Sequence, residues 1–190
     1  GREHHRIAGA KWAARTGVDI EPSCITVTNG AQQALMATMM VLAQPDSLVV
    51  TEALNYPGIR RLADLLHIRL HGLEMDEHGV IPDGLRDICL KEPVAAIIVT
   101  PTIHNPTASV LPAQRRKALA DIAAEFKVPI VEDDSYGHLI EDGPSPIHTF
   151  AQYDCYYICG TSKSLAPGLR VGYLSAPAHM VDYIVNAVRT

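Results

Sequence analysis

Short apolar stretches alternate with amphipathic stretches along the whole chain. Runs of β-branched and other apolar residues predict strands at positions 23–28, 47–52, 68–74, 94–100, 128–132, 156–159 and 170–176. Apolar residues at helical spacing predict helices at positions 1–17, 30–43, 58–67, 112–127 and 177–190, with a turn and a further helix inside 75–90. Because strands alternating with helices imply parallel pairing through right-handed crossovers, we predict a three-layer, doubly wound, mostly parallel α/β sheet.

Polar or aromatic residues follow five of the predicted strands at the point where each strand ends. In an open α/β sheet ligands bind beyond the carboxyl ends of the strands, so these residues are expected to meet at one rim. They are Asn29 to Gln32, Asn55 to Pro57, Thr102 to Pro106, Asp133 to Tyr136, and the group of Ser162, Lys163 and Arg170. The longest irregular stretch, 141–154, is instead predicted to be a surface loop.

Taken singly, most of these residues have ordinary structural explanations. Those explanations are a helix N-cap at Asn29 and Gly30, a packed loop aromatic at Tyr56, a turn at Asn105 and Pro106, and solvated charges at Asp133, Asp134 and Arg170. The same Asn-Gly turn would also present backbone N–H groups and a helix dipole to a phosphate. The joint pattern, rather than any one part, is what indicates a binding site.

Composition narrows the class of protein. The 190 residues carry a formal net charge of −5 and are 47% hydrophobic, which suits one globular domain and disfavours nucleic-acid binding by these residues. No apolar run approaches membrane-spanning length and no secretory signal opens the chain, so a cytoplasmic location is expected. The four cysteines form no C-x-x-C pair and are predicted to be buried free thiols. The nine histidines lack metal-binding spacing, and no metal site is expected.

Lys163 stands among small hydroxyl residues at the end of an apolar strand, where a lysine taken singly is usually a solvated charge. A chemical role is the alternative. A lysine held in a closed site can lose its proton and attack a carbonyl, and pyridoxal phosphate (PLP) is the common biological partner of such a lysine. PLP also needs an acid for its ring nitrogen, donors for its phenolic oxygen, an aromatic ring and a phosphate site. The five strand-end segments together supply all of these groups. An α/β binding domain without PLP is the less specific alternative.

Five motifs carry a resemblance to a known family. NGAQQAL, NYPG, HNPTA, VEDDSYG and TSKSLAPGLRVGY, in this order, resemble the motifs of fold-type-I PLP enzymes, the class I and II aminotransferases. The resemblance implies that Lys163 forms a Schiff base with PLP and carries the catalytic proton, and that Asp133 pairs with the ring nitrogen. It further implies cofactor-binding roles for Tyr136 and Asn105 at the phenolic oxygen, Tyr56 on the ring, and Ala31, Gln32, Ser162 and Arg170 at the phosphate. Asp134 keeps its assignment as a solvated acid.

Two positions depart from the family pattern. The family often has a serine or threonine as a phosphate ligand three residues before the lysine, whereas this chain has Gly160. One hydroxyl is therefore missing unless Thr161 supplies it. The usual N-P-T-G sequence ends here in Ala108, which is a minor change in a turn. Gly160 is therefore expected to affect the affinity for PLP.

The resemblance also implies a place for the chain within a longer protein. Positions 1–190 match the central part of a PLP-binding large domain, without the N-terminal segment and the C-terminal small domain of the family. The small domain carries the arginine that binds the substrate α-carboxylate. Since family members place their sites at a dimer interface, a homodimer is expected.

Among family members, the chain is most similar to the aminotransferase-like half of MocR-type GntR transcriptional regulators. In those proteins a winged helix-turn-helix domain, which alone would bind DNA, precedes this domain, and PLP with an amino compound acts as effector. The alternative is a metabolic aminotransferase that transfers an amino group between an amino acid and a 2-oxo acid. Lys163 and Asp133 do not separate the two classes, because both need these residues to hold PLP.

Overall fold

The computed structural model describes residues 1–190 as a mixed sheet with helices on both faces. The strands are β1 (Ile25–Thr28), β2 (Leu48–Glu52), β3 (Arg69–Leu73), β4 (Met75–Asp76), β5 (Gly79–Val80), β6 (Val94–Val99), β7 (Ile130–Asp133), β8 (Cys155–Gly160) and β9 (Gly172–Ser175). The α-helices are α1 (Glu3–Ala14), α2 (Ala31–Leu42), α3 (Pro57–Leu65), α4 (Asp83–Cys89), α5 (Ala113–Phe126) and α6 (Val181–Arg189). Seven strands form the main sheet in the order β1-β9-β8-β7-β6-β2-β3, and β4 pairs with β5 in a separate hairpin.

Strand pairing in the main sheet is parallel except for the two pairings that β9 makes. β2 pairs in parallel with β3 and β6, β6 with β7, and β7 with β8. β9 is antiparallel to both β1 and β8. The connection from β8 to β9, positions 161–171, contains no α-helix, and a strand returns parallel to its predecessor only through a long, usually helical crossover. The predicted doubly wound, mostly parallel α/β fold is therefore confirmed, with one reversed strand.

The core lies on both faces of the sheet because successive side chains of a strand point in opposite directions. Val49 packs with residues of α2 and α3 on one face, whereas Val50 packs with residues of α4 and α5 on the other. Burial of side chains such as Leu35 and Ile97 stabilises the fold by about 1.5–3 kcal/mol each. A smaller cluster joins α1 to the β1 end of the sheet, where Ala13 contacts the layer that contains Tyr157.

Two predicted segments differ in detail from the structure. The stretch 75–90 begins with the β4–β5 hairpin, and the salt bridge from Arg115 to Asp76 ties that hairpin to α5. Only the short helix α4 follows. The prediction of a surface loop at 141–154 is wrong for its centre, because Ile147 is fully buried. The backbone N–H groups of Ile147 and His148 donate to the two carboxylate oxygens of Glu132 at 2.8 and 2.9 Å, which draws this segment onto the sheet.

The cysteines are all free thiols, but they are not all buried as predicted. Cys155 and Cys159 are buried in β8, while Cys24 and Cys89 are half-buried. Burial raises the pKa of the Cys155 thiol. No helix of the chain has both the length and the apolar character needed to cross a membrane.

Candidate functional site

A cavity of about 160 Å³ opens at the carboxyl-terminal rim of the parallel strands. All nine residues predicted for the site line it, namely Ala31, Gln32, Tyr56, Asn105, Asp133, Tyr136, Ser162, Lys163 and Arg170. The lining also includes Thr100, which sequence reasoning missed, and Ser135, which the sequence placed at the rim without a role. The sequence position of each indicates a place at the rim, because Thr100 directly follows the apolar strand β6 and Ser135 lies between Asp133 and Tyr136.

One end of the cavity is the amino terminus of α2. Gly30 precedes the helix with φ of 78°, a left-handed conformation that glycine adopts without strain. A Cβ atom on Gly30 would lie only 2.8 Å from Nη2 of Arg170, so the missing side chain lets the guanidinium lie against the helix terminus. The first N–H groups of a helix have no intrahelical acceptor, and those of Ala31 and Gln32 therefore add to the positive character of this end.

Two polar side-chain atoms at this end have no partner in the protein. The Ser162 hydroxyl and Oε1 of Gln32 are buried, and neither forms a hydrogen bond. A buried polar group without a partner costs free energy, which a bound ligand recovers. Together with the helix terminus and Arg170, the Ser162 hydroxyl provides donors of the kind that hold a phosphate.

Asp133 is the last residue of β7 and presents one free oxygen to the cavity. Ser135 donates its backbone N–H, at 3.1 Å, and its hydroxyl to Oδ1 of Asp133, while no protein group donates to Oδ2. Burial raises the pKa of Asp133, and the hydrogen bonds from Ser135 and the positive charge of Lys163 oppose that rise. This carboxylate is oriented and partly stabilised, and it has an oxygen available for a cationic N–H group.

Lys163 lies in the turn that follows β8. Its Nζ atom is 5.5 Å from the centre of the Tyr136 ring, a separation at which an ammonium group and an aromatic face attract each other. No carboxylate lies within salt-bridge distance of Nζ. The amine is thus held beside the tyrosine without an ion pair, and it remains available to a ligand in the cavity.

The mouth of the cavity is aromatic on the α3 side. Tyr56 precedes α3 and keeps 40% of its surface exposed. A Cβ atom on Gly58 would lie 2.2 Å from Cε1 of Tyr56, so the ring packs directly on the backbone of that glycine. The exposed ring offers a flat apolar surface on which a planar ligand can stack.

Thr161 does not supply the hydroxyl that Gly160 lacks. Its hydroxyl donates to the carbonyl of Val171 at 3.3 Å, its backbone N–H donates to the same oxygen at 3.0 Å, and it does not line the cavity. A Cβ atom on Gly160 would lie 3.1 Å from that carbonyl oxygen, which is a tight contact. The close approach of β9 therefore favours glycine at position 160, and one phosphate donor of the family pattern is absent.

Asp134 is not the solvated acid that the sequence suggests. It is 1% exposed and accepts a hydrogen bond from the Tyr157 hydroxyl at 2.7 Å. Burial raises the pKa of Asp134 to about 6, although the hydrogen bond from Tyr157 opposes the rise. Since neighbouring residues at a strand end point to opposite faces, Asp133 lines the cavity and Asp134 faces the layer behind it.

Comparison with known proteins identifies the class of the chain. The family model for class I and II aminotransferases matches residues 4–190, and the chain belongs to this family. YdeF, an uncharacterized HTH-type transcriptional regulator of Bacillus subtilis (strain 168), is 31% identical over 95% of this chain. YisV, a second such regulator of the same strain, is 33% identical over 89% of the chain.

A solved structure of an enzyme is similar over the full chain. LysN, an α-aminoadipate aminotransferase of Thermus thermophilus solved with N-(5'-phosphopyridoxyl)-L-leucine, shares 30% identity and a TM-score of 0.89 over 100% of the chain. The chain spans 39% of YdeF, 36% of YisV and 49% of LysN. The family resemblance seen in the sequence is confirmed, and PLP is confirmed as the cofactor of the class. Both predicted kinds of relative, regulators and aminotransferases, are present.

Proposed function

We propose that residues 1–190 are the PLP-binding large domain of an aminotransferase-like protein, and that this protein is a MocR-type GntR transcriptional regulator. The observation that carries the proposal of PLP binding is the meeting of three groups in one cavity of about 160 Å³. They are the amine of Lys163, the free oxygen of Asp133 and the anion-binding end formed by α2, Ser162 and Arg170. Each group matches a different part of one cofactor.

The chemistry of the lining assigns the residues to parts of PLP. Lys163 would hold the aldehyde, and Oδ2 of Asp133 would accept the N–H of the protonated ring nitrogen. Tyr136 and Asn105 would donate to the phenolic oxygen, and Tyr56 would cover the ring. The phosphate would bind to the backbone N–H groups of Ala31 and Gln32, to the Ser162 hydroxyl and to Arg170.

The protein groups around the cofactor have separable tasks. When bound, PLP supplies an electron-withdrawing ring that acidifies the α-hydrogen of an amino compound. Asp133 would keep the ring nitrogen protonated, because its carboxylate would stabilise the adjacent positive charge. Nζ of Lys163 would accept and return a proton at the α-carbon of the amino compound.

The longer protein would combine this domain with others. Similarity to YdeF and YisV, both HTH-type transcriptional regulators, supports the regulator. In the proposed protein a separate N-terminal domain would bind DNA, and an amino compound would be the effector. Similarity to LysN supports the second candidate, an aminotransferase that acts on an amino acid and a 2-oxo acid. Lys163 and Asp133 serve both functions, so the site chemistry is common to the two candidates.

A homodimer is part of the proposal. Exposed leucines are found next to the residues that line the cavity, and they include Leu54, Leu165 and Leu169 at 56%, 61% and 55% exposure. Each of the three is within two residues in sequence of a cavity residue, and exposed apolar side chains favour association with another protein surface. Sedimentation of the full-length protein tests this point, because a monomer at micromolar concentration would contradict it.

The cofactor proposal is tested by absorbance titration of the full-length protein with PLP. Wild type should develop a visible band above that of free PLP and retain the label after borohydride reduction. Lys163→Ala should lose both, whereas Lys127→Ala, a surface control at the opposite end of β7, should keep both. A reducible chromophore in Lys163→Ala would show that another lysine holds PLP.

The two candidate functions are separated by the response to amino compounds. A regulator should bind promoter DNA with an affinity that changes when PLP and an amino acid are present, and it should show no sustained amino transfer. An aminotransferase should turn over repeatedly with an amino acid and a 2-oxo acid. Repeated turnover without DNA binding would reject the regulator.

A further inference from the structure

Trp12 connects helix α1 to the two segments that carry the lysine and the tyrosine of the cavity. Its indole N–H donates to the carbonyl of Gly160 at 3.2 Å, across 148 positions of sequence. Its own backbone carbonyl accepts a hydrogen bond from Nε2 of His138 at 2.9 Å. Gly160 comes three residues before Lys163, and His138 comes two residues after Tyr136.

The two rings are also stacked on each other. The centres of the Trp12 and His138 rings are 4.2 Å apart, and their planes differ by 13°. A carbonyl only accepts hydrogen bonds, so His138 carries its proton on Nε2, and burial lowers the pKa of His138 and favours that neutral form. One hydrogen bond and one stacking contact therefore fix the orientation of the indole, and a second hydrogen bond holds His138 to the backbone of Trp12.

The hydrogen bond to Gly160 replaces a donor that the sheet no longer supplies. The last backbone hydrogen bond between the β7 side and β8 runs from the Asp134 N–H to the Ile158 carbonyl at 2.9 Å. Beyond this point the chain leaves β7 for the turn that carries Tyr136, while β8 continues to Gly160. The indole N–H takes the position of the next donor along β8.

The end of β8 determines where the lysine turn begins. The carbonyl of Thr161, the residue after Gly160, accepts the N–H groups of Leu165 at 2.9 Å and of Ala166 at 3.1 Å, which closes the turn around Lys163. A shift of Gly160 therefore moves this turn as a unit. A shift of His138 moves the Tyr136 ring against which the Lys163 ammonium lies.

We infer that Trp12 is a positioning residue of the cofactor site. Through one hydrogen bond to each segment, Trp12 keeps the Lys163 turn and the Tyr136 turn at a fixed distance from each other. The inference rests on the proposed PLP function. Helix α1 contributes no residue to the cavity, but Trp12 connects this helix directly to the segments that carry Lys163 and Tyr136.

Two substitutions remove one hydrogen bond each and keep an aromatic ring in the stack. Trp12→Phe lacks the indole N–H, and His138→Phe lacks the donor to the Trp12 carbonyl. Each should raise the dissociation constant for PLP about three- to tenfold, the effect expected for the loss of one hydrogen bond. Each should also move the pH at which the visible band of bound PLP changes, because the Lys163 amine and the Tyr136 ring no longer keep their spacing.

The control variant is Arg15→Met. The Arg15 guanidinium lies 5.2 Å from the centre of the Trp12 ring, but it takes no part in either hydrogen bond. This variant should keep the dissociation constant for PLP and the pH of the spectral change at their wild-type values. Thermal unfolding of each apoprotein reports separately on any loss of stability in α1.

The experiment is a PLP titration of the full-length protein by absorbance between pH 6 and pH 9, with wild type and the three variants. Weaker binding and a displaced spectral change in both phenylalanine variants, but not in Arg15→Met, support the inference. Wild-type binding and spectra in Trp12→Phe and His138→Phe, with or without a lower unfolding temperature, overturn it and leave the proposed function intact. Failure of wild type to form a reducible chromophore overturns both.

Discussion

Ser135 donates both its backbone N–H and its hydroxyl to the same oxygen of Asp133, Oδ1. The second oxygen, Oδ2, is left without a protein donor in a residue that is only 7% exposed. The two bonds hold the carboxylate plane and favour its ionised form against burial, which raises the pKa of Asp133. A carboxylate prepared in this way can bind a protonated ring nitrogen without first being reoriented.

Removal of the Ser135 hydroxyl should make PLP binding more sensitive to acid. Ser135→Ala keeps the backbone hydrogen bond and loses the other, so the pKa of Asp133 rises further. The pH below which PLP affinity falls should move up by about one unit, which corresponds to one hydrogen bond to a charged group. Dissociation constants from pH 5 to pH 8 measure this shift. Ser135→Thr, which keeps a hydroxyl, is the control, and identical profiles for wild type and Ser135→Ala would contradict the assignment.

A methyl group on Gly172 should damage the phosphate end of the cavity. A Cβ atom there would lie 2.6 Å from the carbonyl carbon of Gly30 and 2.6 Å from Oγ1 of Thr28, so the turn before α2 must move. Gly172→Ala should lower stability by about 1–3 kcal/mol and weaken PLP binding more than tenfold. Gly168→Ala is the matched control, since no atom lies within 4 Å of its Cβ position. Denaturant unfolding and PLP titration of both variants measure the losses of stability and of PLP affinity. Equal losses in Gly172→Ala and Gly168→Ala would contradict the predicted clash with Gly30 and Thr28.

Glu52 should make the stability of the apoprotein depend on pH. It is buried, its Oε1 accepts the N–H of Thr100 at 2.7 Å, and burial raises its pKa from 4.5 to about 7. Between these values the folded state holds a proton that the unfolded state has released, so the contribution of Glu52 to stability falls as pH rises through this window.

Glu52→Gln should remove that slope. The amide keeps an acceptor for Thr100 and cannot ionise, so its stability relative to wild type should increase between pH 5 and pH 8 by on the order of 2 kcal/mol. Urea unfolding of the two apoproteins at several pH values measures the difference. Glu92→Gln, at an exposed salt bridge with Arg69, is the surface control. Parallel curves for wild type and Glu52→Gln would mean that Glu52 is ionised in the folded protein throughout.

Arg116 should be irreplaceable by lysine. It is fully buried, and its guanidinium donates to the carbonyls of Pro101 and Leu111 at 2.9 and 2.8 Å, which close the two ends of the loop that carries Asn105. Arg116→Lys loses the forked geometry that reaches both carbonyls and the Thr102 hydroxyl together, and it should cost about 2–4 kcal/mol in unfolding free energy. Arg61→Lys, on the exposed face of α3, should cost little. An unfolding free energy unchanged in Arg116→Lys would contradict the role of this network.

The location of the site could be predicted from the sequence because it follows from strand ends. Tyr56, Asp133 and Lys163 are far apart in the chain, but they follow parallel strands whose carboxyl ends meet at one rim. The choice between Asp133 and Asp134 could not be made from local pattern. It depends on which face of the sheet the last residue of β7 points to, and only the family resemblance indicated it.

Other features have no local signal at all. The contact of Trp12 with Gly160 joins positions 148 apart, and nothing in α1 marks its tryptophan as a partner of the site. The same is true of Gly172, whose lack of a side chain matters only because β9 runs antiparallel beside β1 and approaches Gly30. Long-range packing decides these details, and sequence periodicity does not report it.

Mapping of the modified residue is the sharpest test of the proposal that Lys163 binds PLP. The full-length protein is incubated with PLP, reduced with borohydride and digested, and the labelled peptide is sequenced by mass spectrometry. Within these residues, Lys11, Lys91, Lys117 and Lys127 compete as reactive amines. One equivalent of phosphopyridoxyl label is expected on Lys163 at PLP concentrations that leave the other four lysines unmodified. A label confined to another lysine, or spread evenly over several, would contradict it.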